Sequence, residues 1–369
     1  MKIKISKKDF EKALAKIQGL SDKKGNIPIL SNVLLEAKEN IFKLTTTNLE
    51  VGATSKLPAY IEKEGYGLCN VIKLFQIIKN LSSSEIEIFS EENLVFIKTP
   101  NSEFKLAQAN RDEFPTIEYP ENFDIEFESH LLLNALKKVK PAVSKEDLGG
   151  FTLVGIYFNI NEDFLDVVAT DTHRLHLYKI PLISKSGEGE IIIPKLSANE
   201  LMKILKDTKI SKVSFKDGKF YLNTDDNSFF FSVGLEGAFP NYKKPFTLFE
   251  NPTINLKISR DELLKALKEI SAIYANTKLE AKPIFLEFKD NEFILKARHE
   301  NEEGKIVLPC QIEKKEDFNI TFNLTFLIDA ISSFDRHEIE IKFLDEDKPL
   351  LVESPLENLK TLVMPMKIS

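Results

Sequence analysis

Apolar positions along this chain switch between a helical and an alternating period, and the switch is made in the same order three times. Near the start, Phe10, Leu14 and Ile17 share one face of a helix while Lys8, Lys12 and Lys16 occupy the opposite one. The signal returns as Leu132, Leu136 and Val139 opposite Lys137, Lys138 and Lys140. It returns again as Leu263, Leu267 and Ile270 opposite Lys265 and Lys268, where Asp261 and Glu269 dilute the basic face. A serine heads each stretch, at Ser6, Ser129 and Ser259, and the copies lie close to one third of the chain apart. A unit of that size is a whole domain, well above the length of solenoid or propeller repeats.

Each opening helix is followed by residues rich in β-branched and aromatic side chains with turn residues between them, at 33–37 with 41–46, 155–160 with 164–169, and 284–288 with 293–297. These read as hairpins. A second helical period covers 71–78, 196–205 and 323–331, and a further hairpin follows each time. Helix, strands, helix, strands makes every third look like a duplicated half, so the chain holds six such halves. Helices segregated on antiparallel strands give an α+β fold of three tandem domains, at 1–120, 126–244 and 252–369. Linkers are expected near 118–126 and 243–254, where Pro120, Pro245 and Pro252 punctuate the pattern.

Hydrophobic residues at 43% and charged residues at 29% belong to a soluble globular protein. No apolar run approaches a membrane span, and the first residues lack a secretory apolar core, which makes the cytoplasm the expected compartment. Cys69 and Cys310 stand far apart without a CxxC, so neither a disulfide framework nor a zinc site is expected, and no cofactor is implied. The formal net charge of −7 argues against a generic nucleic-acid binder, but its distribution matters more than its sum. The six predicted helices carry 14 Lys/Arg against 8 Asp/Glu, leaving strands and loops strongly acidic. Only the last helix, 323–331, lacks a basic residue. Helices facing inward would give a basic lining inside an acidic exterior, which tolerates a polyanion within and repels it outside.

Catalytic patterns are sparse. The histidines at 130, 173, 176, 299 and 337 form no metal-ligand spacing, and no phosphate-binding glycine loop occurs. The nearest approach to a site is Thr170-Asp171-Thr172-His173-Arg174-Leu175, after a strand. A metal-dependent phosphoesterase centred on Asp171 and His173 would need further carboxylates or a nucleophile at recognisable spacing. An Asp bonding its own turn is the simpler reading.

Several short stretches, in this order and spacing, are specific together: Ile27-Pro28-Ile29-Leu30-Ser31-Asn32, Thr45-Thr46-Thr47-Asn48-Leu49-Glu50, 169–175, Gly237-Ala238-Phe239-Pro240-Asn241-Tyr242, Phe322-Asn323 and Val363-Met364-Pro365-Met366. With them the chain resembles the bacterial sliding clamps, the beta subunit of DNA polymerase III, over essentially its whole length. The resemblance implies a non-enzymatic processivity factor: a head-to-tail homodimer closed into a ring around duplex DNA, with twelve helices lining the hole. It implies partners as well, the replicative polymerase, the clamp loader and repair proteins, which insert short peptides into a pocket. Carried over residue by residue, that pocket is Leu153, Thr170, Thr172, His173, Arg174, Leu175, Pro240, Asn323, Phe326, Val363, Met364, Pro365 and Met366. The dimer contact would use Phe104 and Leu106 on one side and Ile273 and Tyr274 on the other. Glu300, Glu302 and Glu303 facing Lys98 and Lys105 would steer the pairing. Lys8, Lys12, Lys24, Lys137, Lys138 and Lys195 would neighbour phosphates. Thr172 stands where the family usually has glycine, Phe326 where it has tyrosine, and Lys244 and Lys367 where it has arginines, so peptide preference is expected to differ. A ring-shaped scaffold without DNA is the alternative from a different class.

Overall fold

Ser6, Asn70, Ser259 and Asn323 each precede a helix and accept a hydrogen bond from a first-turn backbone N–H, respectively that of Asp9, Lys73, Glu262 and Thr325. Such caps fix where the chain stops being strand and becomes helix. The computed structural model describes residues 1–22, 26–279, 281–289, 292–309, 311–314 and 318–367. Its α-helices are α1 (Lys7–Ile17), α2 (Val71–Asn80), α3 (Ser129–Val139), α4 (Lys195–Ile204), α5 (Arg260–Ile270) and α6 (Leu324–Ser332). The period sets which face is buried: Phe10, Leu14 and Ile17 in α1, and Leu263, Leu267 and Ile270 in α5, are almost wholly removed from water. α4 starts one residue before the sequence pattern and ends one residue early. Pro194 fixes its entry, and Asp207, at φ 64°, turns the chain out of the helix.

The order of elements repeats three times: strand, helix, five strands, helix, three strands. Sequence patterning anticipates a hairpin after each opening helix, whereas the structure has a longer meander. In the first two repeats the extra strand, Val51–Pro58 or Arg174–Pro181, carries buried polar residues such as Thr54, Ser55 and His176, which blur the alternation.

Contacts divide the chain into two compact units, 1–133 with 182–234 and 134–181 with 235–369. These units cut across the repeats because sheets run through the repeat boundaries. In the first unit a nine-stranded sheet joins the repeats where Phe229–Val233 pairs with Val51–Pro58. Beside it lies a five-stranded sheet whose edge is Ser102–Ala107. In the second unit, Leu359–Val363 pairs with Arg174–Pro181 in the same antiparallel manner. A four-stranded sheet there has Glu302–Leu308 at one edge.

One turn is built twice. Thr47 donates its hydroxyl to the Val51 carbonyl, and the Asn48 side chain accepts from the Glu50 and Val51 N–H groups. Thr170 and Asp171 do the same for Arg174 and for the His173 and Arg174 N–H groups. The third turn residue is left-handed in both, Leu49 at φ 78° and Thr172 at φ 71°. The conformation explains why a glycine would sit comfortably at 172, and the hydrogen-bonded frame is what holds a threonine there.

Candidate functional site

In the second unit the 170–174 turn gathers most of the pocket residues expected from sequence around one side chain, Arg174. Its Nε donates to Asp171 Oδ2 at 3.0 Å, its Nη1 to Asp329 Oδ2 at 2.5 Å, and its Nη2 to the Pro141 carbonyl at 2.6 Å. The guanidinium also lies over the Phe326 ring, 4.4 Å from its centroid, and the His173 ring stacks on the same phenyl at 5.9 Å. A planar fork that bonds two carboxylates and a carbonyl while covering an aromatic face is a task for arginine rather than lysine. It fixes α6 against the turn.

The end of the chain is threaded through this frame. Val363 is opposite Arg174 in the ladder and fully buried. Beyond it the Met364 N–H donates to the His173 carbonyl and the Met366 N–H to the Thr321 carbonyl, both at 2.7 Å. Met364 is left 39% exposed, beside half-buried Pro365 and Met366. Thr170, Leu175 and Asn323 are nearly buried, and Thr172 and His173 are exposed at the rim.

Leu153 and Pro240 are positioned by a neighbouring set of bonds. The Leu153 carbonyl accepts from the Ser144 N–H, just after the segment that carries Pro141. Thr152 N–H bonds the Ala238 carbonyl, Phe239 stacks on Tyr157 at 4.5 Å, and the Tyr242 hydroxyl donates to buried Asp166 at 2.7 Å. The 237–242 motif thus places Pro240 two residues from Ala238, whose carbonyl is bonded to Thr152, the residue before Leu153. Leu153 is itself fully buried, so the apolar shelf beside Arg174 is formed by exposed Met364 with half-buried Pro365, Met366 and Phe326.

Beneath it lies His176, fully buried, whose Nδ1 faces the Lys138 carbonyl at 2.7 Å. A carbonyl only accepts, so Nδ1 carries the proton. Burial pushes the imidazole pKa down to about 4, against the Lys138 carbonyl, and the nearby Arg174 charge lowers it too. His176 Nε2 and the hydroxyl of its ladder partner Thr361 have no hydrogen-bond partner among the described residues.

The expected phosphate neighbours are unlike one another. Lys8 and Lys137 are exposed, and Lys195 is half-buried at the start of α4. Lys12 is exposed and pairs with Asp207 at 2.9 Å. Lys138 is 9% exposed, with its ammonium 2.7 Å from Asp335 and 2.8 Å from Glu357, so its charge is balanced inside the unit. Lys24 lies outside the described residues.

Of the expected dimer residues, Phe104 is 39% exposed on the edge strand Ser102–Ala107, with Leu106 half-buried beside it. A cleft of about 640 Å³ opens next to Phe104 between α2 and the 99–102 turn, lined by Gln76, Ile77, Asn80 and Asn101 among others. In the second unit Ile273 is half-buried and presses on Gly304 of the other edge strand, where a Cβ would stand 3.1 Å from its side chain. Tyr274 is 1% exposed, its hydroxyl 2.5 Å from the Pro283 carbonyl. Lys98 and Lys105 both reach Glu103 on their own sheet, and Glu303 pairs with Arg298.

Sequence reasoning missed Asp329, Pro141, Asp335 and Glu357, which hold the functional side chains in place. One signal was available for Asp329: it is the sole charge on the predicted helix 323–331 that lacks lysine. The Asp171–His173 alternative finds no support in the geometry. Both Asp171 oxygens are occupied in holding the turn, and no cluster of three or more metal-ligating side chains occurs among the described residues.

Family models for the DNA polymerase III beta subunit match the chain in series: the N-terminal domain over residues 1–118, the central domain over 126–241 and the C-terminal domain over 248–367. The beta sliding clamp of Helicobacter pylori strain J99 is 28% identical over 391 aligned residues, covering all of both chains. Crystal structures of the beta subunit from Streptococcus pyogenes DNA polymerase and of the Bacillus subtilis DNA polymerase sliding clamp superpose with TM-scores of 0.91 and 0.89, over all of both chains. At 21% and 24% identity, those two show the fold alone.

Proposed function

The chain belongs to the DNA polymerase III beta subunit family and acts as a sliding clamp, a non-enzymatic processivity factor; from that premise we propose how its residues close a ring and hold its partners. Two copies join head to tail around duplex DNA. The shelf around Arg174 and Phe326 captures peptides from the replicative polymerase, the clamp loader and repair proteins. Exposed Lys8, Lys12 and Lys137, with half-buried Lys195, attract phosphates without reading sequence, which lets the ring slide.

One observation carries the ring. In the first unit, α1 of the first repeat is seated against α4 and bonded to the 224–228 turn of the second repeat. By element order, α2 and the 99–102 turn of the first repeat form the same kind of seat, and it is the open cleft beside Phe104. The helix that matches it is α5, the opening helix of the third repeat, on a second copy. Each copy then offers one seat and one helix, and two such heterologous contacts close a ring. Ile273, just beyond α5, would bring its side chain to Phe104, and the open edges Ser102–Ala107 and Glu302–Leu308 would pair rather than remain exposed.

Sedimentation of the native chain should give twice its 42.1 kDa mass, and Ile77→Arg, which puts a charge in the seat, should give folded single chains. A dimer untouched by Ile77→Arg would place the joint elsewhere. For the shelf, Phe326→Ala should abolish binding of a Leu/Phe-containing polymerase peptide while leaving the dimer intact.

A further inference from the structure

The two joints between repeats within the chain share a device that the third joint lacks. In α1, Lys16 is the tenth of eleven residues and is 7% exposed. Its ammonium bonds Asp226 in the 224–228 turn of the next repeat, and that carboxylate is fixed further by the Thr224 hydroxyl at 2.6 Å and the Ser228 N–H at 3.1 Å. Burial works to raise the Asp226 pKa, yet the Lys16 and Thr224 contacts hold it below the usual carboxylate range. In α3 the tenth of eleven residues is Lys138, nearly as buried, and it bonds Glu357 in the 354–358 turn together with Asp335. Glu357 also accepts from the Asp335 and Arg336 N–H groups. Each joint is therefore closed by an opening-helix lysine sunk onto a carboxylate of the next repeat.

In α5 the tenth of eleven residues is Glu269. Its side chain is 56% exposed, 3.8 Å from Lys265 of its own helix. The turn that corresponds to 224–228 in the next repeat around the ring is Thr99-Pro100-Asn101-Ser102, which has no carboxylate. Strands Leu94–Thr99 and Lys219–Thr224 both end in threonine, and Asn101 and Asp226 each follow two residues later. The basic residues nearest that turn, Lys98 and Lys105, are already shared with Glu103.

Resting on the ring reading above, we propose that the joint between copies is coded by Glu269 and Asn101 to lack the lysine–carboxylate pair that locks both joints within the chain. Breaking a buried charge pair strands an ion, so the locked joints resist separation. The joint between copies has no such ion to strand, so it separates more readily than it would with the pair in place. Residue type at two positions thus sets how readily the two copies part.

The test is a charge exchange on the full chain, read by the dimer dissociation constant in sedimentation and by the rate of subunit exchange between fluorescently labelled copies. Asn101→Asp alone sets a carboxylate against Glu269 and should weaken the dimer about threefold or more. Glu269→Lys added to it should reverse the effect and make the dimer about tenfold tighter than native, about 1.4 kcal/mol. Glu269→Lys alone should change little. Thermal unfolding of each variant checks that the fold is intact. If Glu269→Lys has the same effect with and without Asn101→Asp while the native chain dimerises, the coding is wrong and the ring stands. A native chain that remains single at every concentration overturns both.

Discussion

Replacing Arg174 with methionine keeps much of the apolar stem and removes the fork. Three hydrogen bonds are lost, to Asp171, Asp329 and Pro141, together with the guanidinium face on Phe326 at 4.4 Å. Charge-assisted bonds contribute about 1.5–3 kcal/mol each, but the carboxylates left behind are not equally stranded. Asp171 keeps two backbone N–H donors, and the Asp329 side chain is 35% exposed and regains water. The net cost should therefore be about 3 kcal/mol, below the upper end for a wholly buried pair. Most of it falls on the contact between α6 and the 170–174 turn, so urea unfolding should shift by that amount while peptide affinity falls at least tenfold. Fluorescence anisotropy with a labelled Leu/Phe-containing peptide reads the affinity. Arg174→Lys should recover only part of it, since an ammonium cannot reach all three acceptors and lie flat on the ring. A folded Arg174→Met protein with native peptide affinity would refute the idea that this arginine organises the shelf.

Other consequences follow from buried charge. His176 titrates near 4 when folded and near 6.5 when unfolded, so the unfolded chain binds the proton first as pH falls. Stability contributed by the neutral imidazole is complete above about pH 6.5 and lost toward pH 4, a drop of about 3 kcal/mol that His176→Gln should remove from the urea-unfolding profile. Lys8→Glu with Lys137→Glu should weaken direct binding to short linear duplex DNA and flatten its salt dependence without altering unfolding. Lys138→Met should do the reverse, leaving that binding native and lowering stability by about 3 kcal/mol, because Glu357 and Asp335 lose their shared cation. Equal effects of the exposed and buried substitutions on binding to linear duplex would contradict that division.

The helices and the threefold repetition were readable because an amphipathic stripe survives any tertiary context: Phe10, Leu14 and Ile17 are buried as their spacing demands. The third strand of the first two meanders was harder, since His176, Thr54 and Ser55 are buried polar residues that interrupt the alternation. Pocket residues were named from motif resemblance, and the bonds that unite them were not. Nothing in the local sequence of Asp329 or Pro141 says that each meets Arg174, because such partners are set by sheet register and helix packing across more than a hundred residues in the first case. Lys137 and Lys138 are adjacent and chemically identical, yet one faces water and the other is buried on two carboxylates. A one-residue step on a helix moves a side chain by about 100°, which charge counting does not see.

Encirclement separates this account from ordinary affinity. The decisive measurement loads the clamp onto nicked circular plasmid with a clamp loader, raises the salt to a level that abolishes phosphate attraction, and compares retention before and after the plasmid is cut once. A closed ring stays on the circle and slides off the cut molecule. Equal loss from both forms, or equal retention on both, would contradict it.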